Sequence, residues 1–125
     1  MTEAKKPVLL LVEDDDLLQD VIERIFRKEA EVVAVATCEQ AIEVAGSRRS
    51  EIKAILVDYS LRGETTEGII SLFRHQFGAA FPIFGWSGDE DGRRRQKALG
   101  CTQVFEKPIF DPQVLDPIAD ALTRP

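Results

Sequence analysis

The chain is 125 residues long, with 44% apolar residues, 30% charged residues and a net charge of −6. That length gives one domain with its own core and not two. The acidic balance argues against a nucleic-acid-binding surface, which needs clustered Lys and Arg, and no apolar run approaches a membrane span. The charged lead Met1 to Lys6 and the short apolar stretch after it do not make a signal peptide, so the protein is expected in the cytoplasm. Cys38 and Cys101 have no metal-ligand spacing and are expected as reduced thiols. Arg93, Arg94, Arg95 and Lys97 form the one basic cluster, which reads as a solvated helix face.

Strands and helices alternate along the chain. Strand one is predicted over Val8 to Val12. Helix one runs from Asp16 to Lys28, with Leu18, Val21, Ile22, Ile25 and Phe26 on one stripe at helical spacing. Strand two is the valine-rich segment Glu31 to Ala36. Helix two spans Glu39 to Ala45 and is expected to stop near Gly46. Strand three is Ala54 to Asp58. Helix three is Gly68 to Phe77, with Ile69, Leu72, Phe73 and Gln76 tracing a face. Strand four is Pro82 to Trp86, helix four is Asp91 to Leu99, and strand five is Gln103 to Glu106. Asp111 and Pro112 suit the N-cap and first position of helix five. Pro117 then falls inside that helix, where it removes a backbone donor. Asp116-Pro117 reads as a second cap, so a short irregular turn is expected before the helix proper. Five strand–helix units in a row imply right-handed crossovers. The expected fold class is α/β: a (βα)5 three-layer sandwich around a five-stranded parallel sheet.

Four of the five strands end on a chemically capable group. Glu13-Asp14-Asp15-Asp16 follows strand one, Asp58 ends strand three, Ser87 follows strand four, and Lys107-Pro108 follows strand five. In an open parallel sheet, sites form at the carboxyl ends of the strands. The spacing therefore gathers carboxylates, a hydroxyl and an ammonium at one edge, as a divalent-metal and phosphoryl site would. Glu13, Asp14 and Asp58 repel one another at low dielectric. A divalent cation relieves this, and hard oxygen ligands favour Mg2+ or Mn2+ over zinc. Asp15 and Asp16 are read as helix-capping acids. Asp58 has no such structural role, and the proline after Lys107 keeps that lysine extended. Singly, Ser87-Gly88 could be a plain turn and Lys107 a solvated lysine; together, and in this order, they argue for a site.

With these residues in place, the whole chain resembles the receiver domain of two-component response regulators. The resemblance rests on Leu10-Leu11-Val12-Glu13-Asp14-Asp15, on Ile55-Leu56-Val57-Asp58-Tyr59-Ser60-Leu61, on Pro82-Ile83 through Ser87-Gly88, and on Phe105-Glu106-Lys107-Pro108. It implies a flavodoxin-like strand order 2-1-3-4-5 and a single receiver domain over 1–125 with no output domain. It implies Asp58 as phosphoacceptor, Glu13 and Asp14 as the acidic pair holding Mg2+, and the Ser60 backbone carbonyl completing the metal site. Ser87 would donate to the phosphoryl group and Lys107 would pair with its oxygens. The implied phosphodonor is a histidine kinase or a histidine phosphotransfer protein. Output would run through the face of helix four, strand five and helix five, by target docking or homodimerisation. That face would show Arg93 to Arg95, Lys97, Gln103 and Phe105, suited to an acidic partner. Such a domain catalyses only its own aspartyl phosphorylation and dephosphorylation. Met1 and the polar lead favour a free-standing protein.

The chain departs from the family pattern in three places. Arg62 stands where a Pro is usual and the matching glycine is Gly68, so the loop before helix three is two residues longer. Val104 occupies the switch position usually held by Tyr, Phe or His, so the usual aromatic coupling is absent. Trp86 precedes Ser87 where smaller aliphatic residues are usual. The alternative reading is a pseudo-receiver, a phosphorylation-independent protein-interaction module. A dehalogenase-like phosphatase would want a second Asp at Ser60, and a flavodoxin-like cofactor binder would not carry four acids after strand one.

Overall fold

Five apolar segments pair side by side in one parallel sheet: β1 (Val8–Val12), β2 (Glu31–Val35), β3 (Ile52–Asp58), β4 (Ile83–Ser87) and β5 (Gln103–Glu106). Their order is β2-β1-β3-β4-β5. The helices are α1 (Asp16–Phe26), α2 (Cys38–Ser47), α3 (Glu67–Phe77), α4 (Glu90–Ala98) and α5 (Asp116–Thr123). The structure, a computed structural model, describes residues 5–109 and 111–125; Met1, on which the free-standing expectation rests, lies outside them.

The period of two along each strand sorts the core into two layers. Val8, Leu10 and Val12 face α2 and α3, packing with Ala41, Ala45, Ile69, Ile70 and Phe73. Leu9 and Leu11 face α1 and α5, packing with Ile22, Phe26, Ile118, Ala121 and Leu122. All five residues of β1 are fully buried, as a central strand covered on both faces requires. Full burial of a Leu or Ile side chain contributes about 1.5–3 kcal/mol, so these alternating pairs fix the register of the sheet.

Local chemistry sets the element ends. Asp15 caps α1 by accepting from the Leu18 N–H at 3.0 Å, in keeping with its capping role. Thr37 caps α2 through the Gln40 N–H at 3.1 Å, and the Gln40 side chain answers by accepting the Ala36 N–H at 2.9 Å. Gly46 does not stop α2; the helix runs through it to Ser47 and is capped at Arg48. α1 ends at Phe26, short of Lys28, and Val21 of its expected stripe lies at the surface beside exposed Leu17. The turn before α5 is a 3-10 segment, Pro112–Leu115, capped by Asp111; Asp116 and Pro117 then open the helix.

The lengthened loop is a folded element. Ser60–Leu61 and Glu64–Thr65 form a two-stranded antiparallel hairpin, with Ser60 paired to Thr65 and Leu61 to Glu64. Its two turn residues, Arg62 (φ 50°) and Gly63 (φ 85°), both lie at positive φ. That is the two-residue turn whose twist matches the flanking strands. Leu61 drops into the α2–α3 layer of the core and anchors the hairpin.

Helix α4 is seated differently from the others. Its buried residues are Gly92 and Gln96, with no apolar side chain among them. Gln96 is fully buried and donates from Nε2 to the Val57 carbonyl at 3.0 Å. It crosses β4 at Gly85, where a Cβ would lie 2.6 Å from the Gln96 amide carbon. Gly85 is therefore the space into which α4 docks. Gly85→Ala should cost about 1–3 kcal/mol, because Gln96 cannot yield without losing its hydrogen bond. Urea unfolding measures this; an unchanged midpoint would mean that Gln96 reseats freely.

Candidate functional site

The sheet register brings the expected site residues together. β1 and β3 are neighbours with Val12 opposite Val57, so Glu13 and Asp58 emerge side by side. β4 and β5 are in step at Ser87 and Glu106, and the Lys107 N–H donates to the Ser87 carbonyl at 3.1 Å. From there the lysine side chain reaches across β4. Its Nζ sits 4.5 Å from the Trp86 ring centroid, 2.6 Å from Glu13 Oε1 and 3.0 Å from Asp58 Oδ2. Asp14 completes the group: one carboxylate oxygen from each of Glu13, Asp14 and Asp58 lies within 4.8 Å of the others.

These charges are buried together. Glu13 is 1% exposed and Asp58 8%. Burial pushes the Glu13 carboxyl up to about 7, against the opposing hydrogen bond from Lys107. Burial likewise raises Asp58, with the Lys107 charge pulling the other way. One ammonium is thus set against three carboxylates. Hard, closely spaced oxygens with this excess of negative charge fit Mg2+ or Mn2+ by donor chemistry.

The remaining predicted residues fall around this core. Ser87 is buried at the end of β4, and its Oγ accepts the Asp89 N–H at 3.0 Å. The Ser60 N–H points to Asp58 Oδ1 at 3.5 Å. Val104 lies opposite Gly85, on the α2–α3 side of the sheet, remote from the carboxylates in layer if not in strand. One expectation about the α4–β5 face is corrected and another gains detail. Phe105 is buried against α1 and α5 because its alternation turns it into the core. The arginines are already partnered. Arg93 bonds the Ser87 carbonyl at 2.9 Å and Glu106 at 3.5 Å, Arg94 pairs with Asp91, and Arg95 pairs with Asp91 and Glu67. Arg94 and Arg95 remain 70% and 56% exposed, so the cluster is the solvated helix face expected from the sequence, laced with ion pairs.

Several contributors were not visible in the sequence. Thr66 is fully buried, and its Oγ1 donates to the Asp58 carbonyl at 2.6 Å. The Arg62 N–H donates to Asp14 Oδ2 at 3.1 Å. The Tyr59 hydroxyl bonds Glu67, and the Tyr59 ring and Ser87 Oγ both crowd the position a Cβ on Gly92 would take, at 2.9 Å. An Arg-Gly pair between short alternating segments was the one available turn signal; nothing in the sequence marked Thr66.

The buried carboxylates make a pH-dependent prediction for the metal-free protein. Glu13 binds its proton more tightly folded than unfolded, so its contribution is full below pH 4.5 and is lost as the pH rises through about 7. Thermal melts in chelator should show Tm falling over that window. Glu13→Gln, which cannot titrate, should flatten part of the slope, the rest belonging to Asp58. A slope unchanged by Glu13→Gln would contradict this placement of the charge.

No family model matches the sequence, and no curated protein matches it. Solved structures do. A crystal structure from Chloroflexus aurantiacus, assigned as a response regulator, is 26% identical with a TM-score of 0.80, covering 96% of this chain and 100% of that one. The receiver domain of a sensor histidine kinase from Pseudomonas aeruginosa, with a magnesium ion coordinated in its active site cleft, is 27% identical with a TM-score of 0.78, covering 94% and 97%. A CheY-like receiver domain from Methylobacillus flagellatus, 19% identical, has a TM-score of 0.77 over 94% and 99% and shares the fold. By strand order and by these structural neighbours, the chain has the fold of response regulator receiver (CheY-like) domains.

Proposed function

We propose that this chain is a phosphoacceptor receiver of a two-component phosphorelay, with Asp58 as the residue phosphorylated. The observation that carries the reading is Lys107 Nζ lying within 3.0 Å of both Asp58 and Glu13, with Asp14 closing the carboxylate group. An Asp58 oxygen attacks phosphorus, and the bond to the donor breaks with its electron pair leaving on the donor. Lys107 pairs with the phosphoryl oxygens, and Ser87 Oγ donates to them. Glu13, Asp14, Asp58 and the Ser60 carbonyl would hold Mg2+, which would supply neutralisation of phosphoryl charge. The chain acts on itself alone, forming and hydrolysing its own acyl phosphate. The donor is a histidine kinase or histidine phosphotransfer protein, and the setting is the cytoplasm. No helix among the described residues is long and apolar enough to cross a membrane.

The route out of the site starts at Ser87. A ligand shifts an equilibrium only through contacts that differ between two states, and Val104 offers no ring to swing. Ser87, by contrast, bonds Arg93 and Asp89 of the α4 start and touches Gly92. Displacement of Ser87 toward a phosphoryl group therefore pulls on the first turn of α4. Output through the α4–β5–α5 face, to a target or a second copy, follows from that coupling. The partner reads rearranged ion pairs on that face.

Incubation with acetyl phosphate and Mg2+, followed by peptide mapping, tests the assignment. Label should appear on Asp58, and Asp58→Asn should abolish it. Undiminished uptake in Asp58→Asn would sink the reading. Complete absence of uptake in the wild type would favour the phosphorylation-independent module.

A further inference from the structure

The inserted hairpin is bonded to the acidic site at both ends. At its tip, the Arg62 N–H donates to Asp14 Oδ2 at 3.1 Å. At its root, Thr66 reaches back to the strand that ends in Asp58. The Thr66 N–H donates to the Tyr59 carbonyl at 2.8 Å, and its Oγ1 donates to the Asp58 carbonyl at 2.6 Å and lies 3.1 Å from the Tyr59 carbonyl. Thr66 is fully buried, whereas the hairpin residues Arg62 to Thr65 are exposed.

The bonding register has a consequence for Ser60. Opposed residues in an antiparallel pair alternate between exchanging hydrogen bonds and exchanging none. Thr66 bonds Tyr59, so the next pair, Ser60 with Thr65, is of the second kind. The Ser60 backbone groups then face away from the hairpin partner. The Ser60 N–H does turn to Asp58 Oδ1 at 3.5 Å. In an extended strand the carbonyl of a residue lies on the same side as its N–H, so the Ser60 carbonyl is left free on the carboxylate side. A slip of one residue would set Ser60 opposite Glu64 or Thr66 instead of Thr65 and change the side to which its carbonyl points.

We propose that Thr66 is a positioning residue of the acidic site: its buried hydroxyl clamps the Asp58 carbonyl and holds the hairpin in the register that frees the Ser60 carbonyl and lays the Arg62 N–H on Asp14. This inference rests on the reading of Glu13, Asp14, Asp58 and Ser60 as a divalent-cation site. Thr66 touches neither cation nor phosphoryl group; it acts through the backbone of Asp58 and the hairpin.

Mg2+ titration by calorimetry on the full chain tests this, with Thr66→Val and Thr66→Ser compared to wild type. Outer residues that orient ligands typically change metal affinity by about 10–100-fold. Thr66→Val should weaken Mg2+ binding by about tenfold or more, and Thr66→Ser, which keeps the hydroxyl, should stay within about twofold. Should Thr66→Val not fold, Thr66→Ala removes the same hydroxyl with less crowding and carries the comparison. Ile118→Val, a fully buried position on α5 in the other core layer, serves as the control for lost stability alone and should bind Mg2+ as wild type does. Wild-type affinity in Thr66→Val or Thr66→Ala, or equal loss in Thr66→Ser, would overturn the proposal. A wild-type chain that takes up no Mg2+ would instead overturn the reading of the site.

Discussion

The ammonium of Lys107, held between two buried carboxylates, is the interaction on which the rest of this edge depends. Breaking a buried pair by removing one partner typically costs about 3–5 kcal/mol, because a charge is left without compensation. Here the lysine compensates Glu13 at 2.6 Å and Asp58 at 3.0 Å. It does so only partly: three carboxylates converge and one cation answers them. Burial accordingly raises both the Glu13 and Asp58 carboxyls. The edge is therefore assembled and electrostatically unfinished, a state that favours added positive charge at the carboxylates. The parallel sheet makes this possible. Strand ends β1, β3 and β5 deliver their charged residues to one edge, while the aliphatic core beneath fixes their register.

Around that edge, the two segments that follow β3 and β4 are held by polar contacts. The hairpin is anchored by Leu61 beneath and by backbone bonds to Asp14 and Thr66 above. Helix α4 buries a glutamine and a glycine where other helices bury aliphatic residues, and its Gln96 bonds the carbonyl just before Asp58. Among the described residues, Gln96 Oε1 is buried without a hydrogen-bond partner. An unsatisfied buried acceptor costs about 1–3 kcal/mol. A displacement of Ser87 is passed to α4 through its hydrogen bonds to Asp89 and Arg93.

Much of this was legible in the sequence because strand ends are legible. β1 and β5 occupy the bounds read from the sequence, Val8 to Val12 and Gln103 to Glu106, and the proline pair at Pro112 and Pro117 correctly marked a turn before α5. The carboxylates, Ser87 and Lys107 followed from the rule that parallel strands deliver their carboxyl ends to one edge. What escaped were features set by tertiary contact. Gly46 looked like a stop, yet α2 continues because its buried face, Ala41 and Ala45, keeps it docked. Phe105 looked available to a partner, but strand alternation turns it inward. The arginines of α4 read as a solvated face, but their ion pairs to Glu67 and Glu106 on other elements cannot be read from one segment. Thr66 and Gln96 are polar residues in ordinary local contexts; only burial against a named carbonyl reveals what they do.

The central claim is that Glu13, Asp14 and Asp58 form one cation site beside Lys107 and Trp86. Trp86 is the sole tryptophan, is buried, and has the Lys107 ammonium over its ring, so its emission is the expected reporter of charge added at the site. Titrating Mg2+ against Trp86 fluorescence in wild type and in Asp14→Asn tests the claim most directly. The account predicts a saturable change in wild type and a curve displaced to markedly higher Mg2+ in Asp14→Asn. No saturable change in wild type, or superimposable curves for the two proteins, would contradict it.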